Sequence, residues 1–116
     1  MEKPKEIRKW NVYLANLSPR FGTKPGKTRP VVVVQTDLLN SRHPSTIVCP
    51  LTTHIHPQSN ILRVHLRKGE ARLMEKSDIM IDQLRAIDNR RFLKRLGMIG
   101  RASQRKLAEN IQIILN

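Results

Sequence analysis

The chain is poor in acid, poor in aromatic residues and almost free of cysteine. Its one cysteine, Cys49, rules out an internal disulfide, and a zinc ribbon would need more thiols than one. Cys49 lies in the run Thr46-Ile47-Val48-Cys49-Pro50-Leu51, where a lone cysteine is expected as inert core. The aromatics are Trp10, Tyr13, Phe21 and Phe92. That is too few for a base-stacking platform, so any nucleic acid would be gripped by its phosphates. No apolar run approaches the roughly 20 residues that span a bilayer. No secretory leader is evident, and together with the cysteine usage this sets the expectation of a reducing cytoplasm. Paired carboxylates for glycoside chemistry have no support, because only 9 acids stand against 22 Lys and Arg.

The resulting net charge of +13 is clustered. Residues 18–29 carry Arg20, Lys24, Lys27 and Arg29 without an acid. Residues 85–106 carry Arg85, Arg90, Arg91, Lys94, Arg95, Arg101, Arg105 and Lys106 against Asp88 alone. Such clustering is the footprint of a nucleic-acid binder or of a protein held by an acidic partner.

A single domain over residues 1–116 is expected, with 1–9 as a loose polar arm. Trp10–Leu17 alternates as a half-buried strand. Val31–Val34 is wholly β-branched and too short for a usual helix, which predicts a strand buried on both faces, with Pro30 at its first position. Asp37–Asn40 is expected as one helical turn capped by Thr36 or Asp37. Further strands are expected at Ser45–Leu51, Ile61–Leu66, Ser77–Asp82, Gln83–Asp88 (Leu84 and Ala86 on one side) and Phe92–Ile99. The one long helix is 101–115, with Ser103 as N-cap and Leu107, Ile111, Ile114 and Leu115 as its apolar stripe. Many short strands and one terminal helix predict a mainly β fold: a small antiparallel barrel or coiled sheet with a helix packed on it.

Arg29 stands at the mouth of the valine strand beside a basic, glycine-bearing loop, a plausible post for an anion. His54-x-His56 follows the next strand but has no convincing third ligand, so no metal and no cofactor are expected. Gly22 to Thr28 only superficially follows a phosphate-loop pattern; its spacing is short and a strand, not a helix, comes next. Arginine, threonine and histidine near strand ends suit phosphodiester chemistry on RNA, where the 2′-hydroxyl is a built-in nucleophile.

Trp10-Asn11-Val12-Tyr13-Leu14-Ala15-Asn16-Leu17, Gly26-Lys27-Thr28-Arg29-Pro30-Val31-Val32-Val33, Cys49-Pro50-Leu51-Thr52-Thr53 and Asp82-Gln83-Leu84-Arg85-Ala86-Ile87-Asp88 run in order, and the chain resembles the MazF/PemK family of bacterial toxins. The resemblance implies an SH3-like barrel of the CcdB/MazF type and a homodimer. It further implies sequence-selective cleavage of single-stranded RNA and neutralisation by an antitoxin with an acidic tail, operator DNA being met only through that antitoxin. It places the catalytic arginine at Arg29 and the catalytic hydroxyl at Thr52, with Gln83 and Arg85 beside the groove. Lys24, Lys27, Thr28 and Thr53 complete the expected RNA-binding set, and His54 is a candidate acid or base. Many members read Gly-Ser-Glu-Gln-x-Gly before the Arg-Pro; here Lys24 stands in place of the acid, so proton transfer by that acid has no counterpart. The rival expectations are a gyrase poison of the CcdB kind and a basic nucleic-acid-binding barrel without catalysis. The chain's end, Ile113-Ile114-Leu115-Asn116, lacks the aromatic residues the former uses.

Overall fold

A computed structural model describes residues 4–18 and 27–116. Seven strands form one antiparallel sheet: β1 (Asn11–Asn16), β2 (Thr28–Val33), β3 (Ser45–Thr52), β4 (Arg63–Leu66), β5 (Ser77–Met80), β6 (Arg85–Asp88) and β7 (Phe92–Met98). The order is β4-β5-β3-β2-β1-β7, and β6 also pairs with β3. Helix α1 (Arg101–Leu115) closes the chain. This is the mainly β coiled sheet with a C-terminal helix that the pattern predicted.

β3 is the hinge of the sheet. Its first half, Ser45–Val48, pairs with β6, and its last two residues, Leu51 and Thr52, pair with β5. A strand serving two partners on one edge lets the sheet curl, and both its faces become interior. Val31, Val32 and Val33 are all fully buried, as their β-branching suggested. Val32 joins Cys49, Leu51, Ile79 and Leu107, while Val31 and Val33 join Tyr13, Ile87 and Phe92. The same curl corrects the expectation of a half-buried β1: Val12 enters one cluster, Tyr13 and Ala15 the other.

Several boundaries move. Pro30 is the third residue of β2, not the first. It is tolerated because Leu14↔Pro30 falls between bonded pairs of the β1–β2 ladder, so its missing N–H costs β1 nothing. β4 begins at Arg63, since Ile61 and Leu62 lie exposed before it. The run 77–82 breaks after Met80 into a 3-10 turn over Ile81–Gln83. In β6 the buried residue is Ile87, while Ala86 is exposed. Residues 37–42 form hydrogen-bonded turns rather than a helix, with Thr36 Oγ1 accepting from the Leu38 N–H as a cap would.

Gly100, not Ser103, is the N-cap of α1. Glu70 reaches across from a neighbouring turn, its Oε2 accepting from Gly100 N at 2.9 Å and from Ser103 Oγ at 2.6 Å. That carboxylate supplies the negative charge the basic first turn lacks. The turn carrying Glu70 sits hard against β7, where a Cβ at Gly97 would stand 2.9 Å from the Ala71 backbone. On the helix, Leu107 is buried and Ile111 and Ile114 pack against the core, but Leu115 is exposed and Asn110 is buried instead. Of the arm expected at 1–9, the described part is held to the fold by several bonds, among them Ile7 N to Ser41 Oγ, Arg8 N to the Tyr13 hydroxyl, and Lys9 N to Asp37 Oδ1.

Candidate functional site

The β2–β3 register runs Val33↔Val48, Val32↔Cys49, Val31↔Pro50. Two residues further along the same register, Arg29 comes opposite Thr52, on the same face of the sheet. Between them lies Pro30, which offers no N–H to the Leu51 carbonyl. Arg29 Nη1 approaches that carbonyl instead, at 3.4 Å. The guanidinium is thereby leaned onto the end of β3. Among the described residues no carboxylate pairs with it.

Thr52 is half-buried and its Oγ1 accepts from the His54 N–H at 3.1 Å. With that lone pair occupied, the hydroxyl proton points elsewhere and is available to an acceptor. Thr52 is also paired with Asp78 of β5, and Asp78 with His65 of β4. His65, Asp78, Thr52 and Arg29 therefore form one row across four adjacent strands.

Asp78 is fully buried. Its Oδ1 meets His65 Nδ1 at 2.6 Å, and its Oδ2 accepts from His56 N at 2.8 Å and Arg63 Nη1 at 3.1 Å. Arg63 Nη1 also donates to the His54 carbonyl at 3.1 Å. Burial pushes the Asp78 carboxyl upward, but the His56 amide, His65 and Arg63 together outweigh it and hold the group below its ordinary value. This cluster was missed from the sequence. Its one visible signal was an acid inside the apolar run Ser77-Asp78-Ile79-Met80-Ile81.

The other expected residues are spread out. His54 is exposed, its ring edge-on to His56 at 5.2 Å, and among the described residues no group of metal-ligating side chains gathers there. Thr53 is exposed and alternates to the opposite face from Thr52, where it lines a cavity of about 510 Å³ with Leu14, Pro30, Lys94 and Arg95. Lys27 and Thr28 are exposed at the start of β2. Gln83 ends the 3-10 turn, exposed. Arg85 opens β6 opposite Val48, four residues before Thr52 on β3, which is about 13 Å at the rise of a strand. Lys24 lies outside the described residues. Burial pushes the Cys49 thiol up to about 12, which suits the inert role expected of it.

A sequence family described as PemK-like, MazF-like toxin of type II toxin-antitoxin system matches residues 8–115. The chain belongs to that family. Several solved structures share its fold at low identity. The Mycobacterium tuberculosis toxin MazF-mt6 is 19% identical, with a TM-score of 0.73 over 89% of this chain and 93% of its own. MazF from Deinococcus radiodurans is 20% identical, with a TM-score of 0.73 over 99% and 98%. An endoribonuclease in complex with its cognate antitoxin, from a mycobacterial species, is 15% identical, with a TM-score of 0.77 over 94% of each chain. Among the described residues, no helix of this family member is long and apolar enough to cross a membrane.

Proposed function

We propose that this toxin-family chain is an endoribonuclease that cuts single-stranded RNA at a preferred sequence without a metal. The observation that carries the reading is the placing of Arg29 opposite Thr52 at the open end of β2 and β3, with no described carboxylate on the arginine. The 2′-oxygen of the substrate attacks the adjacent phosphorus and the bond to the 5′-oxygen breaks. The products are a 2′,3′-cyclic phosphate and a 5′-hydroxyl. Arg29 takes the non-bridging oxygens, whose charge grows in the transition state. The Thr52 hydroxyl donates to the same phosphate. His54, at the surface beside Thr52, is the candidate for proton transfer. Arg29 is an unsuitable base, its intrinsic pKa being about 12.5–13.8.

Lys24, Lys27, Thr28, Thr53, Gln83 and Arg85 extend the contact along the strand. Those with no place beside Thr52, above all Arg85, act on nucleotides further along it. The chain acts as a homodimer in the bacterial cytoplasm, held inactive by an antitoxin whose acidic tail competes for the basic surface. DNA is reached only through that antitoxin.

Purified protein is incubated with a long single-stranded RNA in EDTA, with Arg29→Ala alongside, and the cut ends are mapped. Cuts at one short motif are expected, reduced by about 10²–10³ in the variant, the usual cost of removing a donor to developing charge. A 2′-deoxy substitution at the cut nucleotide abolishes cleavage. Cutting that ignores that substitution would sink the mechanism. Tight, salt-sensitive binding without cutting would favour the non-catalytic barrel.

A further inference from the structure

We propose that Asp78 is a positioning residue of the reaction centre: it clamps the Thr52–His56 segment and so aims the Thr52 hydroxyl. The inference rests on the endoribonuclease reading and deepens it.

Asp78 is Thr52's direct partner across the β3–β5 ladder, yet its carboxylate spends its bonds on the chain just beyond Thr52. One oxygen accepts the His56 amide. The same oxygen binds Arg63, which in turn holds the His54 carbonyl. His54 closes the loop by donating its own amide to Thr52 Oγ1. Every link from Asp78 to the Thr52 hydroxyl is thus a hydrogen bond of about 3 Å to a backbone group or to Arg63. The segment 53–57 has no ladder of its own, so these bonds set where the His54 amide stands. The His54 amide occupies one lone pair of Thr52, and that occupancy directs the hydroxyl proton.

The choice of residue fits a site for an anion. A bare carboxylate one strand from a phosphate would repel it. Here Arg63 and His65 both face Asp78 from β4, and Arg63 brings a fixed positive charge to the pair. The cluster holds the loop without adding a net negative charge beside the substrate. An apolar residue would remove the clamp, since the His56 N–H and the Arg63 guanidinium would each lose an acceptor.

Such a residue governs the rate of the bound complex rather than its formation. RNA grip comes from exposed cations such as Lys27 and Arg85, which do not touch Asp78; the half-buried Arg63 is spent on Asp78 and the His54 carbonyl. Misplacing a reacting group by an ångström costs about 10²-fold.

The test uses the full chain with a short single-stranded RNA carrying the mapped cut site. It compares Asp78→Asn and the double variant Asp78→Asn/Arg63→Met, the latter leaving no arginine without its carboxylate. Thermal melting shows whether each is folded. Expected in both is a kcat lowered by about 10- to 100-fold with KM within about threefold, and faster amide hydrogen exchange at His54 and His56. A purely structural role would leave kcat of the folded double variant at the wild-type value, and that result overturns the proposal. So does a loss confined to KM, which would make the cluster part of the RNA grip. If the wild-type protein itself leaves the RNA uncut, the endoribonuclease reading fails and the positioning role falls with it. Wild-type cutting with unaffected variants leaves the nuclease standing and removes only Asp78.

Discussion

Two rows of residues cross the same four strands one position apart. Val64, Ile79, Leu51 and Pro30 form one; His65, Asp78, Thr52 and Arg29 form the other. Because side chains alternate along a strand, the rows point to opposite faces. Val64, Ile79 and Leu51 sit in the cluster that α1 covers. The second row holds a buried acid, Asp78, and ends on an arginine with no carboxylate partner among the described residues. The backbone geometry is shared, so the difference lies wholly in which residue type falls on which parity. A slip of one residue in any of these strands would exchange core for site. The apolar row therefore keeps the register that the polar row needs.

The largest effect on stability is expected from the polar row. Asp78→Ala leaves Arg63 and the His56 amide without their acceptor, and should cost about 3–5 kcal/mol, the usual penalty for breaking a buried pair from one side. Urea denaturation measures it. A cost below that of a surface substitution would mean that Arg63 finds water, and the contrast between the rows would collapse. Trimming the apolar row gently is expected to cost less. Ile79→Val removes one methyl from a fully buried side chain, for about 0.5–1.5 kcal/mol. The same variant should leave cleavage unchanged, since the register is retained. A large loss of activity there would show that the two rows are not separable.

The valine strand could be read from the sequence because its residues are β-branched and consecutive, which fits a place covered on both sides and little else. Arg29 and Thr52 were singled out through the family's motifs, and the β2–β3 register sets those two positions opposite one another. Asp78 was not legible. Its partners His65 and Arg63 lie 13 and 15 residues away. Only the β4–β5 pairing brings them together, and without it an acid in an apolar run is merely an anomaly. The helix cap failed for the same reason. Ser103 was the nearest residue of the right type, but the acid that serves Gly100 comes from a turn 30 residues earlier. The mis-set face of β6 follows from periodicity alone, which fixes a spacing but not the side on which the core lies; on α1 the stripe was right except at its last residue, Leu115, where the helix has run past the core.

Acid sharpens the comparison. The Asp78 carboxyl is held below its unfolded value, so its contribution to stability is present above the unfolded pKa of about 3.9 and is lost as pH falls through the folded value. The stability gap between wild type and Asp78→Asn should narrow as pH falls below about 4. A gap that persisted undiminished at pH 2 would mean that the charge of Asp78 is not what holds the cluster.

Asp88 provides the smallest effect and the most discriminating control. It too is held low, at about 2, first by the Arg90 side chain and then by the Arg90 amide. Its partner is two residues away in its own turn and both groups face solvent, so the contact is open to screening by salt. Asp88→Asn should change urea stability within the error of the measurement at moderate salt, and any difference seen at low salt should vanish as salt is raised. The Asp78 effect should survive the same salt, because its carboxylate is out of contact with solvent. Two aspartates on β5 and β6, each paired with an arginine and each flanking β3, would then differ only in burial and in the reach of their bonds. If both responded alike to salt, burial of Asp78 would not be the property that sets it apart, and its hold on the Thr52 segment would have to come from bond geometry alone.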